Sequence, residues 1–331
     1  MPYVDIESSS GPLHVSYHIS TPSNPSAETI DKSLPTLIFL HGLYLGQQTF
    51  EFQFRDKQLR RFNLVSLDTR GHGDTRGPVP KTWSPVAAAE DLFCFMQALN
   101  LPPCHFVSMC MQTLTCAHLN TAHPDRVLSH FLISPVPDVE DKNVLAGRQE
   151  IYDCWVQAYA NPENVDQLAA EDSIFGALQY AFNNIESRFI TALVKYSVAQ
   201  GAVNWSDLDE CWNIFIGFFA NSTRITREQL CKNRGSPVLL VHGQIDIAYP
   251  IELAQGVVNA LVDAGVQTEF VDVPKATHYA CVTAPNEINE LLHNWILRHI
   301  DGPPPPIPTT AISPWESLFG DYEKSSDEES D

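Results

Sequence analysis

From Leu37 to Ile133 the chain repeats one pattern: a short apolar run, a polar turn, then a stretch with helical spacing. Leu37–Leu40 ends in His41-Gly42, and Phe62–Leu67 ends in Asp68-Thr-Arg-Gly-His-Gly73. Ser84–Leu99 places Val86, Leu92, Phe95 and Leu99 on one helical face, with Ser84-Pro85 as cap and first-turn proline. His105–Val107 runs into the helical stretch Met111–Ala122, and Val127–Ile133 is a fourth strand. A strand that is apolar without alternation is buried on both faces. Such strands alternating with amphipathic helices require right-handed crossovers and a mostly parallel sheet covered by helices on both sides. The chain is therefore expected to be α/β.

The rhythm stops at Ser134-Pro-Val-Pro-Asp138. From Glu140 to about Cys231 the pattern is helical and aromatic, with Trp155, Tyr159, Tyr180, Phe182, Trp205, Trp212 and Phe215. Strand and helix then alternate again through Val238–Val241, Ile251–Ala264, Thr268–Val273 and Asn286–Ile300. A helical insertion between two sheet segments is expected to lie as a lid over the strand C-termini, where open α/β sheets bind ligands. The organisation read from this is a core over 1–135, a helical lid over 136–235, the rest of the core over 236–301, and a tail over 302–331. Tyr3–Ser20, broken at Gly11-Pro12, reads as an N-terminal hairpin. The tail opens on Gly302-Pro-Pro-Pro-Pro-Ile-Pro308, turns acidic, and is expected to be disordered. Its apolar patch, Pro314-Trp-Glu-Ser-Leu-Phe319, could dock on a protein partner or on the body itself, and Ser325, Ser326 and Ser330 are candidate phosphate acceptors.

Composition excludes several classes. Forty acidic residues against twenty basic ones give a net charge of −20, which repels phosphate backbones and argues against a nucleic-acid partner. The apolar runs are far shorter than the roughly 20 residues of a spanning helix, so no membrane role is expected. The N-terminus carries neither a basic nor an apolar leader region, and the cysteines sit in apolar stretches rather than a loop-rich scaffold. Cys94, Cys116 and Cys211 read as small buried hydrophobes in a reducing compartment, so the expected location is cytoplasmic. His41, His72 and His242 lack close ligand spacing and no glycine-rich phosphate loop is present, so neither a metal nor a cofactor is expected.

The chemistry concentrates at His105-Phe-Val-Ser-Met-Cys-Met-Gln-Thr113, a strand running straight into a helix. A nucleophile on such a turn is held in a strained conformation that lifts its side chain above the sheet, and small neighbours two residues away on either side avoid a clash. With Cys110 as nucleophile those neighbours are Ser108 and Gln112; with Ser108 they are Phe106 and Cys110. Only the first register leaves a full apolar strand and avoids a Phe at the tight position. Cys110 is favoured. A thiolate is intrinsically more nucleophilic than a hydroxyl and is activated by an imidazole and a helix N-terminus.

With these pieces in order, the chain resembles the α/β-hydrolase family, in particular its compact lactonase, esterase and C–C hydrolase branch. The matching segments are Phe39-Leu-His-Gly-Leu43, Leu67-Asp-Thr-Arg-Gly-His-Gly-Asp74, Val107-Ser-Met-Cys-Met-Gln112, His123-Pro-Asp-Arg-Val127, Val241-His-Gly-Gln-Ile-Asp246 and Ala276-Thr-His278. The sequence departs from the family's Gly-x-Ser-x-Gly turn: a thiol replaces the hydroxyl and both flanking glycines are gone, so Gln112 either distorts the turn or points into the pocket. The resemblance implies His278 as base and Asp246 as its acid, with Asp138 as the rival acid. It implies an oxyanion hole of the Leu43 and Met111 backbone amides, and structural roles for Arg70, His72 and Asp74. His41 is expected to be a hydrogen-bonder of its loop. His41, Gln112, Trp155, Tyr159 and Trp212 are candidate pocket residues, and the aromatic lid suggests an apolar or aromatic carbonyl substrate.

Three functions follow in order of preference. The first is a hydrolase or acyl-transfer enzyme for a carboxylic ester, thioester or lactone, working through an acyl-Cys110 intermediate. The second is a lyase, isomerase or cyclase in the same pocket. The third is a non-catalytic binding protein on a hydrolase scaffold.

Overall fold

The computed structural model describes residues 2–161 and 163–319. Eight strands form one sheet: β1 (Tyr3–Ser8), β2 (Gly11–Ser20), β3 (Thr36–Leu40), β4 (Asn63–Leu67), β5 (Cys104–Met109), β6 (Val127–Ile133), β7 (Val238–Gly243) and β8 (Thr268–Val273), in spatial order β1-β2-β4-β3-β5-β6-β7-β8. The N-terminal hairpin is antiparallel and β2 meets β4 antiparallel. Every later pairing is parallel. The unalternating apolar runs have the cause expected of them: β3, β4 and β5 are buried at every residue because helices cover both faces.

Local signals set the helix boundaries. The Ser84 side chain accepts from Ala87 N–H and Pro85 opens the helix Pro85–Ala98. In the insertion, Asp141, Asp166 and Ser187 cap the helices Lys142–Tyr159, Gln167–Phe182 and Arg188–Asn204. One apolar cluster joins the insertion to a face of the sheet through residues such as Met109, Trp155, Tyr180 and Phe215. A second cluster fills the opposite face between the hairpin and the helix Pro85–Ala98.

The sheet order reverses direction at β3, whose neighbours β4 and β5 lie on opposite sides of it. Beyond the strand C-termini at such a reversal the crossing loops diverge and leave room for a site. The residues after β3, β5 and β7 lie there.

The expectation of a disordered tail fails for residues 302–319. Arg61 donates to the Pro305 carbonyl and Arg60 to that of Ile312, and Ser313 bonds Glu51. Trp315 is buried with its ring 4.9 Å from Phe54 and 5.3 Å from His18, and Phe319 lies 5.0 Å from Phe189 of the insertion. Composition argued for solvation, but two aromatic anchors and two buried guanidinium groups outweigh it. Ser325, Ser326 and Ser330 lie outside the described residues.

Candidate active site

Cys110 is the first residue past β5, and its backbone is left-handed, with φ of 54°. An L-residue with a β-carbon is strained there, and the turn holds because Cys110 N–H donates to Ile133 O at 3.0 Å while its carbonyl accepts from Thr113 N–H at 3.0 Å. The conformation turns the thiol away from the strand, above the sheet edge. The Gln112–Ala122 helix follows at once, so its N-terminal amides face the thiol region. Two amides matter further: neither Leu43 N–H nor Met111 N–H has an acceptor among the described residues, although both residues are buried. Buried amides without partners are rare in folded proteins.

Asp246 follows β7 by a short turn and is fixed by two backbone donors, Ala248 N–H and Tyr249 N–H, each 2.9 Å from Oδ1. Its other oxygen, Oδ2, lies 2.7 Å from His278 Nδ1. Gly243 allows this approach: a β-carbon there would stand 2.2 Å from the Thr277 carbonyl oxygen. The segment around His278 is also tied to the insertion, since the Ala181 carbonyl accepts from Thr277 Oγ1 at 3.0 Å and from Tyr279 N–H at 3.1 Å. The second ring nitrogen, Nε2, is buried and has no partner of good hydrogen-bond geometry. It is the nitrogen left to serve Cys110.

The electrostatics separate Cys110 from the other buried thiols. Burial pushes Cys104 and Cys116 up to about 12, against smaller lowering effects of Arg126 and Ser108. Burial also acts to raise Cys110, but the charge of His278, joined by Tyr180 and Arg148, brings it below the ordinary thiol value. Burial acts to lower His278, yet Asp246 and Cys110 lift it to about 10. Thiolate and imidazolium stabilise each other.

The pair is closed off. Cys110 and His278 are both 0% exposed. Tyr180 Oη is 3.4 Å from Cys110 Sγ, and the Tyr180 ring lies edge-on to His278 at 5.0 Å. Tyr249 stacks on His278 at 5.1 Å. Beyond Tyr180, between the first two insertion helices and residues 247–253, opens a cleft of about 850 Å³.

The remaining candidates separate. His41 accepts from Thr69 N–H at 3.1 Å and bonds the Gly42 carbonyl, and burial lowers it to about 4, a structural role. Gln112 does not enter the pocket: it donates to Thr69 Oγ1 at 3.2 Å and lines a small cavity on the hairpin side of the sheet. Without glycine at this position the side chain turns under the helix. Trp155 lines a small apolar cavity of about 40 Å³ inside the insertion, with Tyr44 and Trp205. The Tyr159 ring tilts against Trp155 at 4.3 Å, and Trp212 is 36% exposed over Gly217; neither lines a described cavity. Asp138 accepts from Ile225 N–H at 2.9 Å, far from His278 in its contacts, so the rival acid is engaged elsewhere. Arg70 binds Asp91 bidentately, His72 bonds the Arg70 carbonyl, and Asp74 accepts from Tyr196 Oη. These last three serve structure. Among the described residues no three His, Cys, Asp or Glu side chains converge as a metal cluster would require.

Sequence reasoning missed Tyr249, Glu140 and Arg148. One signal was present: Arg148 lies on the stripe Val144, Arg148, Ile151, Trp155, an arginine at helical spacing among apolar residues.

Residues 35–285 match the family model described as alpha/beta hydrolase fold. No curated protein matches the sequence. Among solved structures the chain is similar to a thermophilic esterase from Thermogutta terrifontis, at 17% identity and a TM-score of 0.67, covering 91% of this chain and 100% of that one. It is similar to the enol-lactonase of Burkholderia xenovorans at 16% identity and a TM-score of 0.66, covering 89% and 100%. The carboxylesterase CesB of Bacillus subtilis gives 17%, 0.66, and coverage of 90% and 92%.

Proposed function

This chain belongs to the α/β-hydrolase fold family, and from that premise we propose that it is a cysteine-dependent hydrolase or acyl-transfer enzyme acting on carboxylic esters, thioesters or lactones. The observation that carries this reading is the left-handed Cys110 at the strand-to-helix turn, beside a buried His278 that is held at 2.7 Å by Asp246. The named activities of the fold neighbours, esterase and enol-lactonase, support the same substrate class.

In this reading the Cys110 thiolate attacks the carbonyl carbon, and the amides of Leu43 and Met111 donate to the resulting oxyanion. The tetrahedral intermediate collapses, His278 gives its proton to the departing alkoxide or thiolate, and acyl-Cys110 remains. A water or alcohol then loses its proton to His278 and attacks the acyl carbon, releasing the thiolate. Asp246 keeps the imidazole in the tautomer this requires and stabilises the imidazolium. Tyr180 must move for a substrate to reach the sulfur. Enclosure of the thiol favours one alternative, a binding protein whose nucleophile position no longer turns over; the unpartnered amides and the strained turn weigh against it.

Turnover of small p-nitrophenyl esters and acyl thioesters, with Cys110→Ala as control, together with mass spectrometry of the quenched enzyme, tests the proposal. An acyl adduct on the Cys110 peptide and loss of activity in the variant are expected. Activity that survives Cys110→Ala, or an adduct elsewhere, overturns it.

A further inference from the structure

Arg148 is fully buried on the helix Lys142–Tyr159, close to the proposed thiol and used by none of the steps above. Its Nη2 donates to Tyr249 Oη at 2.8 Å and pairs with Glu140, and Tyr249 Oη in turn donates to Glu140 Oε2 at 3.0 Å. The guanidinium carbon lies over the Phe219 ring, 3.3 Å from its centroid. Two of its nitrogens, Nε and Nη1, are buried without any partner. Tyr44 Oη is buried and unpartnered as well, and its ring meets that of Tyr180 at 6.0 Å. Arg148 Nε and Nη1 and Tyr44 Oη are thus three buried polar atoms without a hydrogen-bond partner among the described residues. Interiors rarely leave such groups unpaired, because each forfeits the hydrogen bonds it had in water. Arg148 and Tyr180 both belong to the wall of the large cleft, and the same Tyr180 bonds the thiol.

We infer that the acyl group taken at this site carries a second oxygen acceptor, a neutral ketone-type carbonyl, and that Arg148 is the residue that selects it. The inference rests on the hydrolase reading above and adds the substrate class to it. Two electrostatic features decide for a neutral acceptor over a carboxylate. Glu140 already neutralises Arg148, and the cleft mouth carries the exposed acids Glu150, Asp172 and Glu252 with half-buried Asp141. A carboxylate would cross an acidic rim to meet a cation that is already paired. A ketone oxygen meets no such barrier and satisfies donors that a plain alkyl chain leaves orphaned. A site built around buried donors rejects an analogue without the acceptor by a large factor.

The test uses the full chain with Cys110→Ala, so that ligands bind without turnover, and three anilides measured by calorimetry: acetoacetanilide, butyranilide and N-phenylsuccinamic acid. Acetoacetanilide is expected to bind at least about tenfold more tightly than the other two, and Arg148→Met on the same background is expected to remove the difference. Equal affinities, or a preference that survives Arg148→Met, overturn the inference; tighter binding of the succinamic acid overturns the ketone class. Should Arg148→Met fail to fold, the Cys110→Ala comparison alone still decides, since equal affinities there are fatal. Phenyl acetoacetate and phenyl butyrate with the unmodified chain separate the two proposals. A binding preference without turnover of either ester sinks the hydrolase reading alone, and turnover with no preference sinks this one alone.

Discussion

The phenolic oxygen of Tyr180 sits 3.4 Å from the sulfur of Cys110, and neither residue offers the sulfur a path to solvent. One residue thus both covers the thiol and bonds to it.

Replacing Tyr180 separates these effects. Tyr180→Ala should speed alkylation of Cys110 by iodoacetamide by roughly tenfold or more, because the covering ring is gone. Tyr180→Phe keeps the cover and removes the hydrogen bond that helps hold the thiol low, so the apparent pKa of alkylation should move up. Alkylation rates across pH, followed on the Cys110 peptide, check both. An unchanged rate in Tyr180→Ala would contradict the cover.

Alkylation in the unmodified chain should rise with pH along a curve whose apparent pKa lies below the ordinary thiol value of 9, since the thiolate is the reactive form and His278 favours it. Asp246→Asn weakens the imidazolium and should move that curve upward. It should also lower kcat/KM on any ester turned over by about 10²- to 10⁴-fold, as loss of tautomer control does in related triads. A curve that stays in place in Asp246→Asn would show that the acid does not act through His278.

Acid should destabilise the fold well before its carboxylates protonate. Burial lowers His41, His105 and His130 to about 4 and His72 to about 3. Below pH 6.5 the unfolded chain binds protons that these imidazoles refuse, so stability falls as pH falls from 6.5 toward 4. Each can contribute up to about 1.4 kcal/mol per pH unit in that window. Urea midpoints at pH 7, 6 and 5 measure the slope, and a flat series would refute it.

Trp315→Ala should cost about 3 kcal/mol of unfolding free energy, the usual scale for emptying a buried indole site. Its neighbours Phe54 and His18 belong to the core, so the loss should appear as a lower urea midpoint with the slope unchanged. A variant as stable as the parent would mean that the terminal segment is not anchored.

The sheet and the elbow were readable because each depends on nearby residues. An apolar run of four or five residues followed by a polar turn can do little else in a chain of this size, and Cys110 lies where one such run meets a helix. Asp246 and His278 were readable because each ends its own β-segment. Arg148, Tyr249 and Glu140 come together only through the way the insertion helices lie on the sheet, which no local pattern encodes. Trp315 and Phe319 failed for a related reason: average composition of 302–331 hides two residues that find distant partners. Gln112 stands out in the sequence, but its direction depends on Thr69, more than forty positions earlier in the chain.

The Ala181 carbonyl bonds residues on both sides of His278, and Ala181 is the neighbour of Tyr180. In the proposed reaction, admission of a ligand past Tyr180 and alignment of His278 would therefore depend on the same carbonyl. A swing of the Gln167–Phe182 helix wide enough to free the sulfur must either drag the imidazole's loop along or snap two bonds beside it. Under the proposed mechanism, opening would therefore disturb the His278 imidazole, and resealing would set it in place again.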